Sequence, residues 1–263
     1  MLYYPGCTLK TKAQNLDTYA RKAAAALGFP LTEIDNWQCC GAVYPTATDA
    51  VAPKLAAVRA LQFAHQKGQP LVTLCSACHH VLKRVNHDAR TNPGFRRALR
   101  TYDETLDYAG EAEVLHYMEV LQREVGFAEL KKRVTAPLTG QKIGAYYGCM
   151  LLRPADVMQF DDPENPQIFE DFLRALGAEP VAFPLRNECC GGYLALKTPA
   201  RAAEMAAAVS QNAAKNEASL LVTACPLCLY NVATEQSPVP VVYFTELLAQ
   251  ALGLKEDAPC TNG

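Results

Sequence analysis

Leu71-Val72-Thr73-Leu74-Cys75-Ser76-Ala77-Cys78 and Leu221-Val222-Thr223-Ala224-Cys225-Pro226-Leu227-Cys228 are two copies of one device. Each is a short apolar run of strand character that ends in Cys-x-x-Cys. Read outward, each copy belongs to a set of five cysteines: a lone Cys, then Cys-Cys-Gly, then Cys-x-x-Cys. The first set is Cys7, Cys39, Cys40, Cys75 and Cys78. The second is Cys149, Cys189, Cys190, Cys225 and Cys228. Four of the five pairs share an offset of 150 (189−39, 190−40, 225−75, 228−78). Thiols in such register indicate a duplicated scaffold that presents two five-thiol sites.

The elements around the cysteines repeat as well. In the first half the pattern predicts strands at 1–4, 31–34 and 71–74. Helices are predicted at 13–27, stopped by Gly28, and at 49–66, with Asp49 as N-cap and Gly68 as stop. In the second half it predicts strands at 142–147, 180–183 and 220–223. Helices follow at 166–176 and 199–216, the latter with Thr198 as N-cap and Pro199 at its first position. Val114–Glu119 matches Val241–Glu246, and each runs into a helix ending at Gly126 or Gly253. The first half carries extra residues after its Cys-x-x-Cys, read as a polar stretch near Asn86–Thr105. The second carries an inserted loop at Asp161–Pro166.

Strands alternating with helices predict an α/β fold of two pseudo-symmetric, duplicated βα-type halves with largely parallel sheets. The expected division is 1–130 and 142–254, each a cysteine-rich domain, with a linker at 131–141 and a polar tail at 255–263. Ligands of such sheets lie beyond the carboxyl ends of the strands, where the cysteines fall, so the metal sites are expected there.

The 263 residues are 50% hydrophobic and 20% charged, with a net charge of −2, which points to neither nucleic acid nor an anionic membrane as partner. No apolar run reaches the roughly 18 residues that span a bilayer. The amino-terminal residues do not read as a signal peptide, so a cytoplasmic protein is expected. Thiols stay reduced in that compartment, which leaves metal ligation or redox chemistry as reasons to order ten of them. Cys260, in the tail, reads as a surface thiol.

Cys-x-x-Cys entering a helix lets two sulfurs converge, as in zinc and iron–sulfur sites. Cys-Cys-Gly needs a sharp turn for both thiols to face one site, and the glycine permits the positive φ of such a turn. Gly6 and Gly148, just before the lone cysteines, fit a close backbone approach. Four thiolates complete a tetrahedral zinc site or a cubane cluster, so the fifth is in excess. Two zinc ribbons are the plainer reading; a thioredoxin-like pair accounts for only part of the pattern.

Tyr3–Leu9, Trp37–Ala42, Asn187–Gly192 and Thr223–Cys228 together resemble the cysteine-rich CCG domain family, and above all the B subunit of heterodisulfide reductase. The resemblance spans about residues 1–253. It implies a noncubane [4Fe-4S] cluster on each set of five cysteines, Cys7, Cys39, Cys40, Cys75 and Cys78 for one and Cys149, Cys189, Cys190, Cys225 and Cys228 for the other. Zinc in one site is the alternative. It implies a catalytic oxidoreductase subunit that cleaves or forms a disulfide, a small molecule or carrier-bound sulfur, between the two clusters. It also implies two partner proteins, a flavin-containing one like the A subunit of that enzyme and a ferredoxin-type one like its C subunit. Other relatives of this family serve 2-hydroxy acid oxidation, and a noncatalytic electron-relay or assembly role is open.

His79 and His80 follow Cys78, and His116 stands where the second half has Tyr243. All three are candidates for a hydrogen bond or proton at the site, against plain packing or solvation. Trp37 is expected to pack over the first site. Arg153 and Arg186 are candidates to balance charge at the second site or to bind an acidic substrate.

Overall fold

The computed structural model describes residues 1–42 and 51–254. Asp49, Cys260 and the 255–263 tail lie outside the described residues. The first half runs β1 (Leu2–Tyr3), α1 (Cys7–Lys10), α2 (Gln14–Leu27), β2 (Thr32–Glu33), α3 (Leu55–Lys67), β3 (Leu71–Thr73), α4 (Ser76–Thr91), α5 (Pro93–Tyr102), β4 (Val114–His116) and α6 (Tyr117–Val120). α7 (Phe127–Arg133) leads into the second half. That half contains β5 (Lys142–Tyr146), α8 (Ala155–Met158), α9 (Ile168–Ala175), β6 (Glu179–Val181), α10 (Pro199–Lys215), β7 (Leu220–Thr223), α11 (Pro226–Val232), β8 (Val241–Tyr243) and α12 (Phe244–Ala251).

Each half builds a four-stranded sheet, ordered β2-β1-β3-β4 and β6-β5-β7-β8, and every pairing is parallel. The apolar runs of β3 and β7 occupy inner positions, buried on both faces, as continuous hydrophobic strands should. Pro180 is tolerated because β6 is an edge strand. In both sheets the strand order reverses between the first and third strands. The crevice at that switch point, at the carboxyl ends, is where ligands of such sheets bind.

Two local expectations need correction. The helix expected from Asp49 is instead α3, which begins at Leu55 after a 3₁₀ turn at Ala52–Lys54 that contains Pro53. Thr198 does sit at the N-cap of α10, but its side chain makes no capping hydrogen bond. The extra residues near Asn86–Thr105 are largely helical. They extend α4 and form α5, whose cap is Asn92, accepting from the Phe95 N–H at 3.1 Å. Phe95 and Leu99, one helical turn apart, bury α5 against α4.

The two halves interlock. α12 of the second half packs on α2 of the first, where the Thr245 hydroxyl donates to Leu16 O at 3.1 Å. Phe244 touches Tyr117, Phe169 and Phe172 at centroid distances of 5.7, 6.5 and 6.3 Å. Aromatic contacts of this kind contribute about 0.5–1.5 kcal/mol each beyond the area they bury. Both hydrophobic cores draw residues from both halves. The sites are therefore held by one packed framework.

Candidate functional site

The ten cysteines gather at the carboxyl ends of the strands, in two groups that meet at the junction of the halves. Cys75 follows β3 and Cys225 follows β7. Each backbone N–H donates to the Oγ1 of a threonine two residues earlier, Thr73 or Thr223, both at 3.4 Å. Each carbonyl accepts from the first turn of the following helix, from His79 N–H or Leu229 N–H, both at 2.9 Å. Cys-x-x-Cys is thus set by the same strand-to-helix turn twice.

In the first group the Cys40 and Cys78 sulfurs lie 3.5 Å apart and those of Cys7 and Cys39 3.6 Å apart. In the second, Cys190 and Cys228 lie 3.4 Å apart. The glycines explain how backbone and sulfur come so close. A Cβ on Gly6, at φ +74°, would stand 2.8 Å from Cys78 Sγ; one on Gly148, at φ +65°, would stand 3.2 Å from Cys228 Sγ. The glycines of both Cys-Cys-Gly turns have positive φ, +74° at Gly41 and +77° at Gly191, as the sharp turn requires.

Hydrogen bonding from Cys39 and Cys78 pulls the Cys40 thiol down to about 4. Cys149 and Cys190 bring Cys189 to about 3. In each group, hydrogen bonding among the thiols thus favours the thiolate, the ligating form, at one sulfur. The turns that carry the two groups also meet, Ser76 N–H donating to Ala224 O at 3.0 Å. Hydrogen bonding between Cys75 and Cys225 pushes the buried Cys75 thiol up, while Cys228 and Cys75 together hold Cys225 down. A cavity of about 100 Å³ is lined by all five cysteines of the first group. The second group lines one of about 20 Å³. Leu227 borders both.

The donor set fits a sulfur-ligated centre: ten thiols, three of them with lowered pKa, and glycines where a side chain would strike sulfur. Among the described residues, no three His, Cys, Asp or Glu side chains are arranged to hold one bare ion.

A clasp of polar side chains fixes the two Cys-x-x-Cys turns against each other. Tyr243 OH donates to Leu74 O and lies 3.0 Å from Ala224 O; the Ser76 hydroxyl and N–H both donate to Ala224 O at 3.0 Å. His116 Nδ1 accepts from Met118 N–H at 3.2 Å, which assigns the proton to Nε2, 2.9 Å from Leu74 O. Burial holds His116 at about 3, so it is neutral at pH 7. His116 is thus a brace for the residue before Cys75. His79 is buried too, and its ring packs edge-on against those of His116 and Phe160. Its Nε2 lies 3.1 Å from Glu119, but neither ring nitrogen has a well-directed partner. Burial pushes Glu119 up, yet the His79 contact and the His116 N–H outweigh it and hold the carboxyl low. His80 is bonded through Nδ1 to Met150 O at 3.1 Å, and burial lowers its basicity.

Trp37 does not line the first cavity; it packs edge-on against Tyr4 and donates to Glu33 at 2.9 Å. Arg153 and Arg186 are occupied by structure. Arg153 binds Asn187 O, Pro163 O and Glu164, while Arg186 binds Asn165 and lies 3.3 Å from buried Glu170. Both guanidinium groups anchor the 161–165 loop beside the second site.

Two site tyrosines escaped the sequence reading. Tyr4 OH donates to Gln38 O and Tyr146 OH to Glu188 O at 2.8 Å, each bracing the residue before a Cys-Cys-Gly. Their spacing, 146−4, equals that of the lone cysteines, 149−7, and that shared offset of 142 was the available signal.

The family described as cysteine-rich domain (CCG) matches residues 1–83 and 143–233, which contain all ten cysteines. The chain is 34% identical, over 96% of its length and 92% of the relative's, to the 8-methylmenaquinol:fumarate reductase membrane anchor subunit of Wolinella succinogenes. It is 28% identical, over 94% and 89%, to a protein of Archaeoglobus profundus described as like the B subunit of heterodisulfide reductase. It is 25% identical, over 97% and 89%, to the B subunit of the ferredoxin/F(420)H(2)-dependent CoB-CoM heterodisulfide reductase of Methanosarcina acetivorans. A solved hypothetical protein from Helicobacter pylori shares the fold, with a TM-score of 0.74 at 12% identity over 97% of this chain; the chain spans 49% of that protein. Duplicated parallel sheets, five matched thiols at the switch point of each, and this similarity along nearly the whole chain lead to one assignment: the chain belongs to the CCG cysteine-rich domain family.

Proposed function

We propose that the chain is an iron–sulfur subunit of a heterodisulfide-reductase-like oxidoreductase complex. Cys7, Cys39, Cys40, Cys75 and Cys78 hold one noncubane [4Fe-4S] cluster, and Cys149, Cys189, Cys190, Cys225 and Cys228 hold the other. The observation that carries this reading is that the two five-thiol groups stand on Cys-x-x-Cys turns joined across the halves, where Ser76 and Tyr243 bond the carbonyls that precede Cys75 and Cys225. Such clusters, when bound, supply one electron each and an iron site for each departing sulfur. The substrate disulfide takes two electrons and two protons and yields two thiols. The residues of this chain hold the sites at a set separation through Tyr243, Ser76 and His116, and brace each Cys-Cys-Gly turn through Tyr4 or Tyr146. Electrons come from partners of the flavin-containing and ferredoxin types, and 1–130 and 142–254 are the two units of the duplication. The complex works in the cytoplasm.

Anaerobic iron and sulfide analysis tests the assignment, with about eight of each per chain expected. Zinc at two per chain without iron would sink it. The similarity to a membrane anchor subunit of a fumarate reductase favours a second reading, electron relay at a quinol-linked complex. Among the described residues no helix is long and apolar enough to cross a membrane. Electron paramagnetic resonance (EPR) during titration with a disulfide separates the two. A substrate-dependent paramagnetic state supports disulfide chemistry, and its absence supports the relay.

A further inference from the structure

A third cavity, of about 280 Å³, flanks the paired cysteine groups. It shares Cys40 and Ala42 with the first cysteine cavity and Met150 with the second, so it borders both. The bond between His80 Nδ1 and Met150 O ties the halves together along its wall. Its charged lining is Lys54, Arg84 and Asp88. Lys54 is bonded to Asp88 at 2.8 Å and lies 5.1 Å from the Phe95 ring centroid, so those two charges cancel. Arg84 is exposed and has no ion-pair or hydrogen-bond partner among the described residues. Among the described residues the cavity is left with one uncompensated guanidinium. Its planar fork suits a carboxylate or phosphate held by two parallel hydrogen bonds. Arg153 and Arg186, the other arginines near the cysteines, are committed to the 161–165 loop and cannot serve this purpose.

We propose that this cavity receives an oxyanion-bearing arm of the disulfide substrate, with Arg84 as the residue that selects it. The assignment rests on the disulfide reading above. It narrows the substrate to a disulfide with an acidic group on at least one of its thiol halves.

The test is calorimetric binding to the full chain, reconstituted with iron and sulfide under anaerobic conditions. Three probes are compared: 3,3′-dithiodipropionate, suberate, which replaces both sulfurs by carbon, and bis(2-hydroxyethyl) disulfide, which lacks the charge. Wild type should bind both dicarboxylates more tightly than the neutral disulfide. Arg84→Gln should weaken the dicarboxylates by about tenfold or more and leave the neutral disulfide unchanged, with Arg84→Lys intermediate. Displacement of suberate by inorganic phosphate would mark a phosphate arm; suberate that stays bound would mark a carboxylate. Either result supports the site. Equal binding of the dicarboxylates by wild type and Arg84→Gln overturns the proposal. So does a wild type that binds the neutral disulfide as well as its charged counterpart. Arg84-dependent suberate binding would stand even if no disulfide were reduced. Disulfide reduction without any preference for dicarboxylates would remove the subsite and leave the disulfide reading in place.

Discussion

The first and second cysteine groups are built by the same turns, yet they are not equivalent. Cys7 and Cys39 are exposed around a cavity of about 100 Å³, whereas Cys149 and Cys189 are half-buried around one of about 20 Å³. Behind the first group lie His79, Glu119 and His116; behind the second lie Leu229, Glu246 and Tyr243. The two carboxylates do the same job, each accepting from the N–H at a helix start: His116 N at 2.7 Å and Tyr243 N at 2.9 Å. Duplication thus preserved what the backbone needs at each turn. What varied is access and the polarity behind the thiols, which makes the first site the more open to solvent and ligand.

The comparison breaks most severely at the ligands. Cys78→Ala should remove the first centre and leave the second, halving iron per chain to about four. Cys228→Ala should do the mirror image, with a different EPR signal lost. Loss of all iron from either single variant would show that the two centres assemble as one. Next come the glycines. Gly6→Ala and Gly148→Ala each force alanine into positive φ, at about 1–2 kcal/mol. The 2.8 Å approach makes Gly6→Ala the worse of the two for cluster retention, measured as iron bound after gel filtration. Equal losses would mean that the tighter cradle gives way.

The pH dependence sharpens the contrast between His116 and Tyr243. Burial keeps His116 at about 3, below its ordinary 6.5, so the unfolded chain binds the proton first. Stability is then complete above about pH 6.5 and falls between there and pH 3, by up to roughly 1.4 kcal/mol per unit. Urea unfolding of apoprotein at stepped pH should show this slope, and His116→Gln should reduce it. A smaller effect belongs to Tyr243→Phe, which leaves the Leu74 carbonyl to His116 and the Ala224 carbonyl to Ser76. About 0.5–1.5 kcal/mol of stability should be lost, with an altered EPR interaction between the centres. Smallest is a contrast of caps. Asn92→Ala should cost about 1 kcal/mol, because its side chain caps α5. Thr198→Ala should change stability by less than about 0.5 kcal/mol, because its side chain caps nothing.

Much of this was legible in the chain. The strands before Cys75 and Cys225, the helix stops at Gly28 and Gly68, and the positive φ of Gly41 and Gly191 are all local matters of φ, ψ and hydrophobic run length. The start of α3 departs from the expected helix for a local reason too, since Pro53 favours a 3₁₀ entry, and the arginines of α5 give the insertion its polar look while Phe95 and Leu99 are buried. The candidate side chains were harder. His116, Trp37, Arg153 and Arg186 all stand near cysteines in sequence, but what each touches depends on the other half of the fold or on a distant loop.

By itself, then, the sequence determined that there are two matched sets of five thiols, each at the carboxyl end of a parallel sheet, because spacing and turn geometry are set within a few residues. Only the tertiary structure decided that the turns before Cys75 and Cys225 meet, that a tyrosine and a histidine from opposite halves clasp them, and that the first site has room where the second does not. Those facts arise from packing two sheets and their helices into shared cores, and no stretch of chain carries that arrangement alone.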